Sequence, residues 1–435
     1  MFGSLPSYIK LRMALSQSSE NIRSLQLRRL NNIVHYAYKN VPFYKNKFDK
    51  VGFRPSDRFS FEDFNKIPVT YKEELRLHGK DIISREFKEE ELFTSRTSGS
   101  TGLPFKSYFD KDAWFILKYA SKLRARRACG LKFGAKIVNI EAYNQRETAE
   151  LNEAFAKRSR FFKLSYLSIF DDIENHLLYF EKFKPDVLYG LPSYFLELGR
   201  FISFKHKAWD TRRLIFTSGE LLDTHTKKKL KGYFGENVFD IYGGTELKEV
   251  AWECRKHSGY HINEDLYYVE VFGGAEDTES SSEGELVVSC LINRAMPLIR
   301  YSVGDRARFL NSRCSCGLPF SMLSPISGRE VDYFILKNGT KVSPYSLTMT
   351  VEPVQGIFQY KIIQHSKQDV ELLIVPENTF KKITGSRDSQ EILTEAKKLL
   401  QGVLGNDVRI KTTLCSRIPL SKNGKYVVVE SRIRD

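Results

Sequence analysis

The chain is poor in cysteine, in acidic residues and in long apolar runs, and each shortage excludes a class of protein. Six cysteines in 435 residues are too few for a scaffold that is held together by disulfides. Cys129, Cys290 and Cys415 lie in ordinary surroundings and are expected to be buried free thiols. No run of about 18 residues is apolar and uncharged, so we expect no transmembrane helix. Residues 1–10 have no apolar core after a basic start, unlike a secretory signal, which predicts a cytoplasmic protein.

The shortage of acidic residues leaves a net charge of +15, because 68 Lys and Arg face 53 Asp and Glu. Residues 1–50 hold nine basic residues against two acidic ones, and residues 121–136 hold six against none. Such patches attract nucleic acid, an anionic membrane surface or polyphosphate ligands. No aromatic–basic signature and no Cys/His finger spacing accompanies them, so we expect no nucleic acid partner. A peripheral contact with the inner face of the membrane, a large anionic substrate and a plain solvated surface stay open.

The length and the order of the apolar segments predict a protein of more than one domain. A chain of 435 residues is too long for one compact core. Residues 19–41 have the apolar spacing of an amphipathic helix. From residue 92 to about residue 310, short apolar strands alternate with helical stretches, which predicts parallel α/β layers. The candidate strands are 136–140, 186–189, 213–217, 238–241 and 285–290, and the candidate helices are 194–204 and 224–234.

A smaller α+β segment is predicted after a turn at residues 327–329, which reads as a domain boundary. Its predicted strands are 357–364, 370–375 and 426–430, and its predicted helix is 389–402. A polar run at residues 277–283 is expected to form an exposed hairpin loop.

A loop rich in hydroxyls and glycine is the first functional motif along the chain. Two glycines let its backbone approach a ligand closely, and such a loop presents several N–H groups to an anion such as a phosphate. The loop lacks the Lys-Ser/Thr ending of the P-loop, so we expect it to bind phosphate in a different way from a P-loop. An ordinary mobile Ser/Gly loop is the alternative interpretation. The residues of this loop are Thr97, Ser98, Gly99, Ser100, Thr101 and Gly102.

Further motifs follow in a fixed order. Three turns come directly after predicted strands, at residues 189–192, 217–220 and 242–246, and the carboxyl ends of parallel strands are where such sheets bind ligands. The later motifs are Arg300-Tyr301-Ser302-Val303-Gly304-Asp305, Gly328-Arg329-Glu330-Val331-Asp332 and Asn423-Gly424-Lys425.

The order and spacing of these motifs resemble the acyl-adenylate-forming superfamily. Within it, the chain is most similar to the phenylacetate–coenzyme A ligase family and to its capsular polysaccharide biosynthesis branch. Residues 35–44 and 295–301 extend the likeness over nearly the whole chain. The resemblance implies an α/β fold in which residues 1–326 form a large N-terminal adenylate-forming domain of layered sheets and helices. It also implies that residues 327–435 form a small mobile α+β lid domain, with a hinge near residues 329–332.

The resemblance implies an ATP-dependent, AMP-forming ligase. Such an enzyme joins a small carboxylic acid to the α-phosphate of ATP, expels pyrophosphate and passes the acyl group to coenzyme A. Negative charge must be held in line and neutralised during the first step. A second interpretation has an amine or hydroxyl of a capsular or surface polysaccharide precursor as the acceptor. A third is a nucleotide-binding protein without catalysis, against which the charged residues Glu246, Asp305, Arg329 and Lys425 argue.

The resemblance also gives each motif a role toward the nucleotide. The loop Thr97–Gly102 would hold the departing phosphates. Asp305 would accept both ribose hydroxyls, and Arg329 at the hinge would reach the ribose or the phosphates. An ordinary turn residue is the alternative for Asp305. The residues expected to frame the adenine are Ser218, Gly219, Glu220, Asp240, Tyr242 and Gly243.

Three residues are expected to carry the chemistry. By resemblance, Thr245 would contact the α-phosphate and Glu246 would hold Mg²⁺, a hard cation that suits carboxylate and phosphate oxygens. Lys425 would contact the carboxylate and the α-phosphate during adenylation, a role that suits a mobile point charge on a long stem. An exposed helix start for Glu246 and an exposed hairpin for Lys425 are the alternatives.

A cysteine and histidine pattern predicts a metal site. Cys314 and Cys316 are too close in sequence to form a disulfide with each other readily. Cys254 lies upstream, followed by His257 and His261, and three cysteines with one histidine form a known structural zinc set. The family pattern matches His261, while His257 is the local rival. Buried thiols with surface histidines remain the alternative to a structural Zn²⁺ site.

The acyl pocket is expected around Tyr143, the turn at residues 189–192 and Tyr242. Aromatic linings of this kind suit many acids. The sequence therefore leaves the carboxylic acid, the acceptor and the oligomeric state open.

Overall fold

The computed structural model describes residues 5–55, 59–96, 105–142, 148, 150, 152, 163–273, 283–327, 333–380, 387–419 and 426–433. A π-helical stretch at Ile116–Ala120 joins the sixth and seventh α-helices. The α-helices are α1 Leu5–Ala14, α2 Ser19–Asn40, α3 Pro42–Lys50, α4 Phe61–Asn65, α5 Lys72–Leu77, α6 Lys111–Phe115, α7 Ser121–Ala128, α8 Ile173–Phe183, α9 Pro192–Phe204, α10 Thr224–Phe234, α11 Pro344–Val351 and α12 Ser389–Leu404.

The strands fall into separate groups along the chain. They are β1 Phe93–Arg96, β2 Lys106–Phe109, β3 Lys136–Glu141, β4 Lys163–Ser168, β5 Val187–Gly190, β6 Leu214–Ser218, β7 Val238–Gly244, β8 Lys248–Glu253, β9 Tyr260–Ile262, β10 Tyr267–Phe272, β11 Gly284–Cys290, β12 Tyr301–Ala307, β13 Phe309–Leu310, β14 Met322–Leu323, β15 Phe334–Ile335, β16 Lys341–Val342, β17 Ile357–Gln364, β18 Asp369–Pro376, β19 Arg409–Leu414 and β20 Val429–Ser431.

The chain forms two compact units. Unit 1 comprises residues 1–130 and 241–325, and unit 2 comprises residues 131–240 and 326–435. Strand β7 carries the chain from unit 2 into unit 1. These units each combine two separate stretches of the chain, whereas the sequence predicted one boundary, between residues 1–326 and residues 327–435. That domain boundary stays a prediction.

Unit 2 contains the predicted parallel layer. Strands β4, β3, β5 and β6 pair in that order and in parallel. Residues of β3 and β5 are buried, as expected for strands that are covered on both faces. Helix α10 begins after Asp223, whose side chain accepts a hydrogen bond from Thr226 N at 2.7 Å. It ends at Gly235, which has a positive φ of 82°.

The same unit holds the C-terminal segment, defined as residues 333–433. Its four-stranded sheet has the order β19-β18-β17-β20, in which β17 and β18 are antiparallel and the outer pairs are parallel. Helix α12 buries Ile392, Ala396 and Leu400 against this sheet. That spacing of four residues gives the helix one apolar face.

Unit 1 is antiparallel throughout its described sheets. Strands β8, β9, β14 and β13 pair in that order, and β10, β11 and β12 form a separate three-stranded sheet. The buried Arg124 joins helix α7 to this part of the chain, because it forms a bidentate ion pair with Asp265 at 2.7 and 2.9 Å.

Most predicted elements are confirmed, with two corrections. The prediction that parallel α/β layers continue to about residue 310 was wrong beyond β7, because the strands that follow are antiparallel and joined by connections too short for a crossover helix. Cys129 and Cys290 are buried as predicted, but Cys415 is only partly buried. The loop predicted at residues 277–283 lies outside the described residues except for residue 283.

The helices of the described ranges include none with the length and hydropathy needed to cross a bilayer.

Candidate functional site

A short hairpin frames the predicted phosphate loop in unit 1. Strands β1 and β2 pair antiparallel from Phe93 opposite Phe109 to Arg96 opposite Lys106. The loop residues Thr97–Gly102 lie outside the described part of the chain. The described ladder ends at Arg96 opposite Lys106, so the two strands that precede and follow this part of the chain are paired with each other.

The turn between β7 and β8 carries Thr245 and Glu246. The two strands remain paired up to Gly244 opposite Lys248, so the turn is tight. A Cβ atom on Gly243 would lie 1.9 Å from the Lys248 carbonyl oxygen, which only glycine avoids. The glycine of the sequence motif is therefore required by the close approach of two backbones.

Lys248 ties this turn to the stem of the phosphate loop. Its Nζ donates hydrogen bonds to the Thr245 carbonyl oxygen at 2.7 Å and to Ser95 Oγ on β1 at 2.5 Å. Burial lowers the pKa of Lys248 to about 7, and the positive charges of Lys118 and Lys122 add to the effect. Sequence reasoning missed this lysine, although it lies three residues after Thr245.

Asp305 and Tyr242 meet in unit 1, although separate motifs supply them. The Tyr242 hydroxyl donates a hydrogen bond to Asp305 Oδ2 at 2.8 Å. Asp305 lies on β12 and follows Gly304, which has a positive φ of 77°. A carboxylate has about four acceptor positions, so this bond orients the group and leaves it able to accept others.

Glu246 is buried and its carboxylate is already oriented. Lys72 Nζ lies 2.7 Å from Glu246 Oε1, and the Tyr301 hydroxyl donates to the same oxygen at 2.8 Å. Burial acts to raise the pKa of Glu246, but the charge of Lys72 and the hydrogen bonds from Lys72 and Tyr301 outweigh it and leave the pKa below its usual value. The other oxygen, Oε2, would lie 3.6 Å from a Cβ on Gly244, so the glycine leaves room beside it.

In unit 2, the predicted adenine-framing segment follows β6. Gly219 has a positive φ of 87°, which turns the chain sharply after Ser218. Glu220 accepts hydrogen bonds from Ser193 N at 3.0 Å, from Ser193 Oγ at 2.9 Å and from Tyr426 N at 2.5 Å. Ser193 is the second residue of α9, so the carboxylate lies at a helix N-terminus, where negative charge is favoured.

Asp240 is also buried in unit 2. Its Oδ1 accepts a hydrogen bond from Thr217 Oγ1 at 2.5 Å, and the same hydroxyl lies 3.4 Å from the Phe239 carbonyl oxygen. Thr217 is on β6 and Asp240 on β7, so this pair fixes the two strand ends relative to each other.

A cavity in unit 2 adjoins the turn that was predicted to form part of the acyl pocket. Its volume is about 490 Å³, and its lining includes Leu191, Tyr194, Phe201 and Ile418. Tyr143, another predicted pocket residue, lies outside the described residues. The location of the acyl pocket therefore stays a prediction.

The four predicted metal ligands come together in unit 1. One ligand atom from each of Cys254, His261, Cys314 and Cys316 lies within 4.8 Å of all the others. Cys254 Sγ is 3.6 Å from Cys314 Sγ, and Cys316 Sγ is 3.3 Å from His261 Nε2. Tetrahedral zinc with bonds of about 2.3 Å to sulfur and 2.0 Å to nitrogen requires ligand atoms at such separations.

The surroundings of His261 suit a neutral metal ligand. Its Nδ1 lies 3.3 Å from the Phe320 carbonyl oxygen, so Nδ1 can carry the proton and leave Nε2 for a metal. Burial lowers the pKa of His261, which favours the neutral ring. The rival histidine, His257, is not in the group; its Nδ1 lies 3.7 Å from Glu253 Oε2.

The comparison with known proteins identifies relatives over nearly the whole chain. The family profile of the CapK C-terminal domain matches residues 334–432. The phenylacetate–coenzyme A ligase of Thermus thermophilus is 27% identical over 393 residues, which cover 86% of this chain and 85% of the relative. The chain is therefore similar to phenylacetate–coenzyme A ligases over most of its length. Protein CapK of Staphylococcus aureus is a more distant relative, with 21% identity over 416 residues, 92% of this chain and 87% of CapK.

A solved structure shows the same fold. The 2-hydroxyisobutyryl-CoA ligase, in the postadenylation state with 2-HIB-AMP, superposes with a TM-score of 0.76 at 22% identity. The superposition covers 94% of this chain and 89% of that ligase. The chain therefore has the mixed α/β fold of that solved adenylate-forming ligase, with a C-terminal domain, as the resemblance implied.

Several of the predicted site residues lie outside the part of the chain that the structure describes. Arg329 and Lys425 lie outside the described residues, as does the whole Thr97–Gly102 loop. The structure adds Lys72 and Tyr301 around Glu246, which sequence reasoning missed. Tyr301 stands inside a recognised motif and could have been found there. Lys72 lies in the short helix α5, far from Glu246 in the sequence, and no motif includes it.

Proposed function

We propose that the protein is an ATP-dependent, AMP-forming acid–coenzyme A ligase. It activates a small carboxylic acid as its adenylate and passes the acyl group to coenzyme A. The observation that carries the proposal is the pairing of Tyr242 with Asp305 beside the Thr245-Glu246 turn, in a chain homologous to phenylacetate–coenzyme A ligases. Tyr242 and Asp305 belong to motifs that are far apart in the sequence, so only the tertiary fold brings them into contact.

The residues of unit 1 suit the nucleotide. Asp305 accepts hydrogen bonds from the ribose hydroxyls while Tyr242 keeps its carboxylate in one orientation. Thr245, held at its carbonyl by Lys248, presents its hydroxyl and N–H to the α-phosphate. From the resemblance alone, Lys425, which lies outside the described residues, is proposed to contact the carboxylate and the α-phosphate during adenylation. In phosphoryl transfer, a protein contributes mainly by positioning the reacting groups and by stabilising negative charge.

Glu246 fits a Mg²⁺ ligand. Its pKa is held below the usual value, so the group is ionised at neutral pH, and Oε2 faces the space beside Gly244. Bound Mg²⁺ would supply neutralisation of the phosphate charge. Lys72 and Tyr301 hold the Glu246 carboxylate in one orientation, which lowers the entropic cost of ordering it when an ion binds.

The Cys254, His261, Cys314 and Cys316 cluster fits structural Zn²⁺. A set of three thiolates and one imidazole closes the coordination shell, so the ion would hold β9 and the loop of the two later cysteines together without joining the reaction.

A second candidate function differs in the acceptor. The sequence motifs resemble the capsular polysaccharide biosynthesis branch, and residues 334–432 match the CapK C-terminal domain. The resemblance supports transfer of the acyl or aminoacyl group to an amine or hydroxyl of a surface polysaccharide precursor. The protein would then act in the cytoplasm, with the basic residues among residues 1–50 directed to the inner face of the membrane.

Coenzyme A dependence separates the two candidates. The protein is incubated with ATP, Mg²⁺ and a panel of acids, with and without coenzyme A, and AMP and thioester are measured by chromatography with mass detection. We expect one AMP for each acyl-coenzyme A formed, with at least one acid. Formation of an acyl adenylate that coenzyme A does not consume would instead favour the polysaccharide acceptor.

A further inference from the structure

Helix α1 packs one of its faces onto unit 1. Leu11 and Ala14 are buried, and Ala14 lies in a small apolar cluster with Ile22 and Phe320. The buried Arg124 of helix α7 donates a hydrogen bond to the Leu11 carbonyl oxygen at 3.3 Å, so a cation lies at the C-terminal turn of α1, where the helix dipole favours positive charge. These contacts hold α1 in one orientation on the surface of unit 1.

The opposite face of α1 exposes two apolar side chains. Ile9 is 49% exposed and Met13 is 57% exposed, although burial of either side chain would be favourable. Four residues separate them, and at 3.6 residues per turn their side chains point within about 40° of each other. Both therefore face solvent on the same side of the helix, away from the buried Leu11 and Ala14.

Basic side chains border this apolar pair on both sides. Lys10 and Arg12 are exposed, and a rotation of about 100° per residue places Lys10 on one flank of the pair and Arg12 on the other. Residues 1–19 include no aspartate or glutamate. Ile9, Lys10, Arg12 and Met13 together form the outer face of α1.

The elements against which α1 packs carry the same sign of charge. Helix α1 contacts the π-helical stretch and helix α7, and residues 116–128 hold five basic residues and no acidic one. One of the five, Arg124, is offset by its ion pair with Asp265. Parts of the two basic blocks of the sequence thus meet in unit 1. Their surplus of positive charge attracts an anionic surface over about a Debye length.

The combination of apolar and basic side chains favours one kind of partner. Nucleic acid would contact the two basic residues, but Ile9 and Met13 offer no aromatic plane on which a base could stack. The surface of a lipid bilayer accommodates both kinds of side chain, because apolar groups enter the boundary of the acyl region while lysine and arginine reach the headgroup phosphates. Each basic residue near an anionic bilayer strengthens binding roughly fivefold.

We infer that the outer face of α1 docks the protein reversibly on an anionic lipid bilayer. Ile9 and Met13 enter the headgroup boundary, and Lys10 and Arg12 contact lipid phosphates. Two apolar side chains with a small basic patch bind weakly, so the contact depends on ionic strength. The inference goes beyond the proposed function, since it holds for either acceptor, and it gives the membrane contact of the second candidate a defined surface.

Co-sedimentation with vesicles tests the docking with the full chain and without substrates. The vesicles contain phosphatidylcholine alone or with about 30% phosphatidylglycerol, which supplies the negative surface. We expect the unaltered protein to sediment with the anionic vesicles and to stay in solution with the neutral ones. Salt at about 0.5 M should lower the partition coefficient at least about fivefold, because the Debye length shortens. Absence of binding to the anionic vesicles at low salt would overturn the inference.

Substitutions of the apolar pair test the surface itself. Ile9→Asp with Met13→Asp should lower the partition coefficient at least about tenfold, since a carboxylate resists transfer into the lipid boundary. Val51→Asp with Leu77→Asp is the matched control, because these side chains are 50% and 86% exposed in the same unit. All four positions are exposed, so thermal melts should show folded variants. Unchanged binding by the α1 variant, or an equal loss in the control, would contradict docking through α1.

Charge reversal separates the local surface from the net charge of the chain. Lys10→Glu with Arg12→Glu should lower the partition coefficient at low salt at least about tenfold. Lys66→Glu with Lys80→Glu changes the net charge equally, at side chains that are 69% and 87% exposed in the same unit, and should bind nearly as the unaltered protein does. Equal losses in the two variants would assign the binding to overall charge and overturn the inference.

A tryptophan at position 9 reports insertion directly. Relative to the unaltered protein, Ile9→Trp should add an emission that shifts to shorter wavelength on anionic vesicles and is quenched by brominated lipids, since an indole ring favours the bilayer interface. Leu77→Trp should show neither change. Bound Ile9→Trp with unshifted emission would contradict insertion. None of these measurements involves ATP, so their failure leaves the proposed function standing, and a failure of acid activation leaves the docking test decisive.

Discussion

The hydroxyl of Tyr242 donates a hydrogen bond of 2.8 Å to the carboxylate of Asp305. The two residues are 63 positions apart in the chain, with Tyr242 on β7 in the Tyr-Gly-Gly-Thr-Glu motif and Asp305 on β12 after Gly304. Their contact gives Asp305 a fixed orientation before any ligand is bound. The role of the Asp305 carboxylate can therefore be tested separately from the role of the Tyr242 hydroxyl that orients it.

Replacement of Asp305 by alanine should weaken ATP binding. Two hydrogen bonds from ribose hydroxyls to a carboxylate are worth enough to raise KM for ATP roughly 10- to 100-fold when both are lost. Tyr242→Phe removes only the supporting bond and should raise KM by less than about tenfold. Steady-state kinetics with ATP varied give both values. An unchanged KM in Asp305→Ala would remove this residue from the nucleotide site.

Replacement of Glu246 by glutamine should reduce adenylation and shift its Mg²⁺ dependence to higher concentration. Loss of one oriented charged group at a phosphoryl site costs about 100- to 1000-fold in rate. Pyrophosphate exchange measured over a Mg²⁺ titration provides the test.

Glu249→Gln is the control for this substitution. Glu249 lies on β8, three residues after Glu246, and burial raises its pKa, so glutamine imitates its protonated form. Its Mg²⁺ curve should coincide with that of the unaltered protein. Coincident curves for Glu246→Gln as well would exclude Glu246 as a Mg²⁺ ligand.

The cysteine and histidine cluster predicts one zinc ion per chain. Cys316→Ser should abolish stoichiometric zinc, as measured by elemental analysis, and should lower the unfolding midpoint by roughly 5–15 °C, since binding energy at a structural metal is folding energy. Cys415→Ser changes a partly buried cysteine outside the cluster and should keep the zinc. Full zinc content in Cys316→Ser would show that the cluster is not the binding site.

Glu352 predicts a loss of stability with rising pH. Burial raises the pKa of Glu352 to about 8 from its usual 4.5, and the nearby Asp223 carboxylate adds to the effect. An acid with a raised pKa in the folded state keeps its full contribution below the unfolded pKa and loses it as the pH rises to 8. The unfolding midpoint should fall over that window, and the fall should be smaller in Glu352→Gln.

The size of this effect is modest, because Glu352 is partly exposed to solvent. At pH 8.5, Glu352→Gln should be more stable by about 1 kcal/mol, or roughly 2–4 °C for a unit of this size. Thermal melts from pH 5 to pH 9 measure it. The exposed Glu391→Gln in the same segment should follow the unaltered protein. Parallel curves for Glu352→Gln and the unaltered protein would contradict the assignment.

Elements with local signals could be predicted from the sequence. Helix α10 has a side-chain cap at Asp223 and a glycine stop at Gly235, and its bounds at 224 and 234 were predicted as observed. The grouping of Cys254, His261, Cys314 and Cys316 was also predicted, because the pattern of the family that the chain resembles favours His261 over His257.

Contacts between distant segments could not be predicted. The Lys72–Glu246 ion pair and the Tyr426–Glu220 hydrogen bond join parts of the chain that only the tertiary fold brings together. No periodicity or motif in the sequence indicates that the two residues of either pair are in contact. The change from parallel to antiparallel strands after β7 was missed for a related reason, since short apolar strands look alike until their connections are known.

The most direct test of acid activation is pyrophosphate exchange into ATP over a panel of aryl, fatty, hydroxy and amino acids, with Mg²⁺ and without coenzyme A. We expect exchange with at least one class of acid, and we expect Lys425→Ala to lose this exchange while calorimetry still detects ATP binding. Exchange that persists in full in Lys425→Ala would remove this lysine from the reaction. ATP binding without exchange for any acid would contradict adenylation and leave a nucleotide-binding protein.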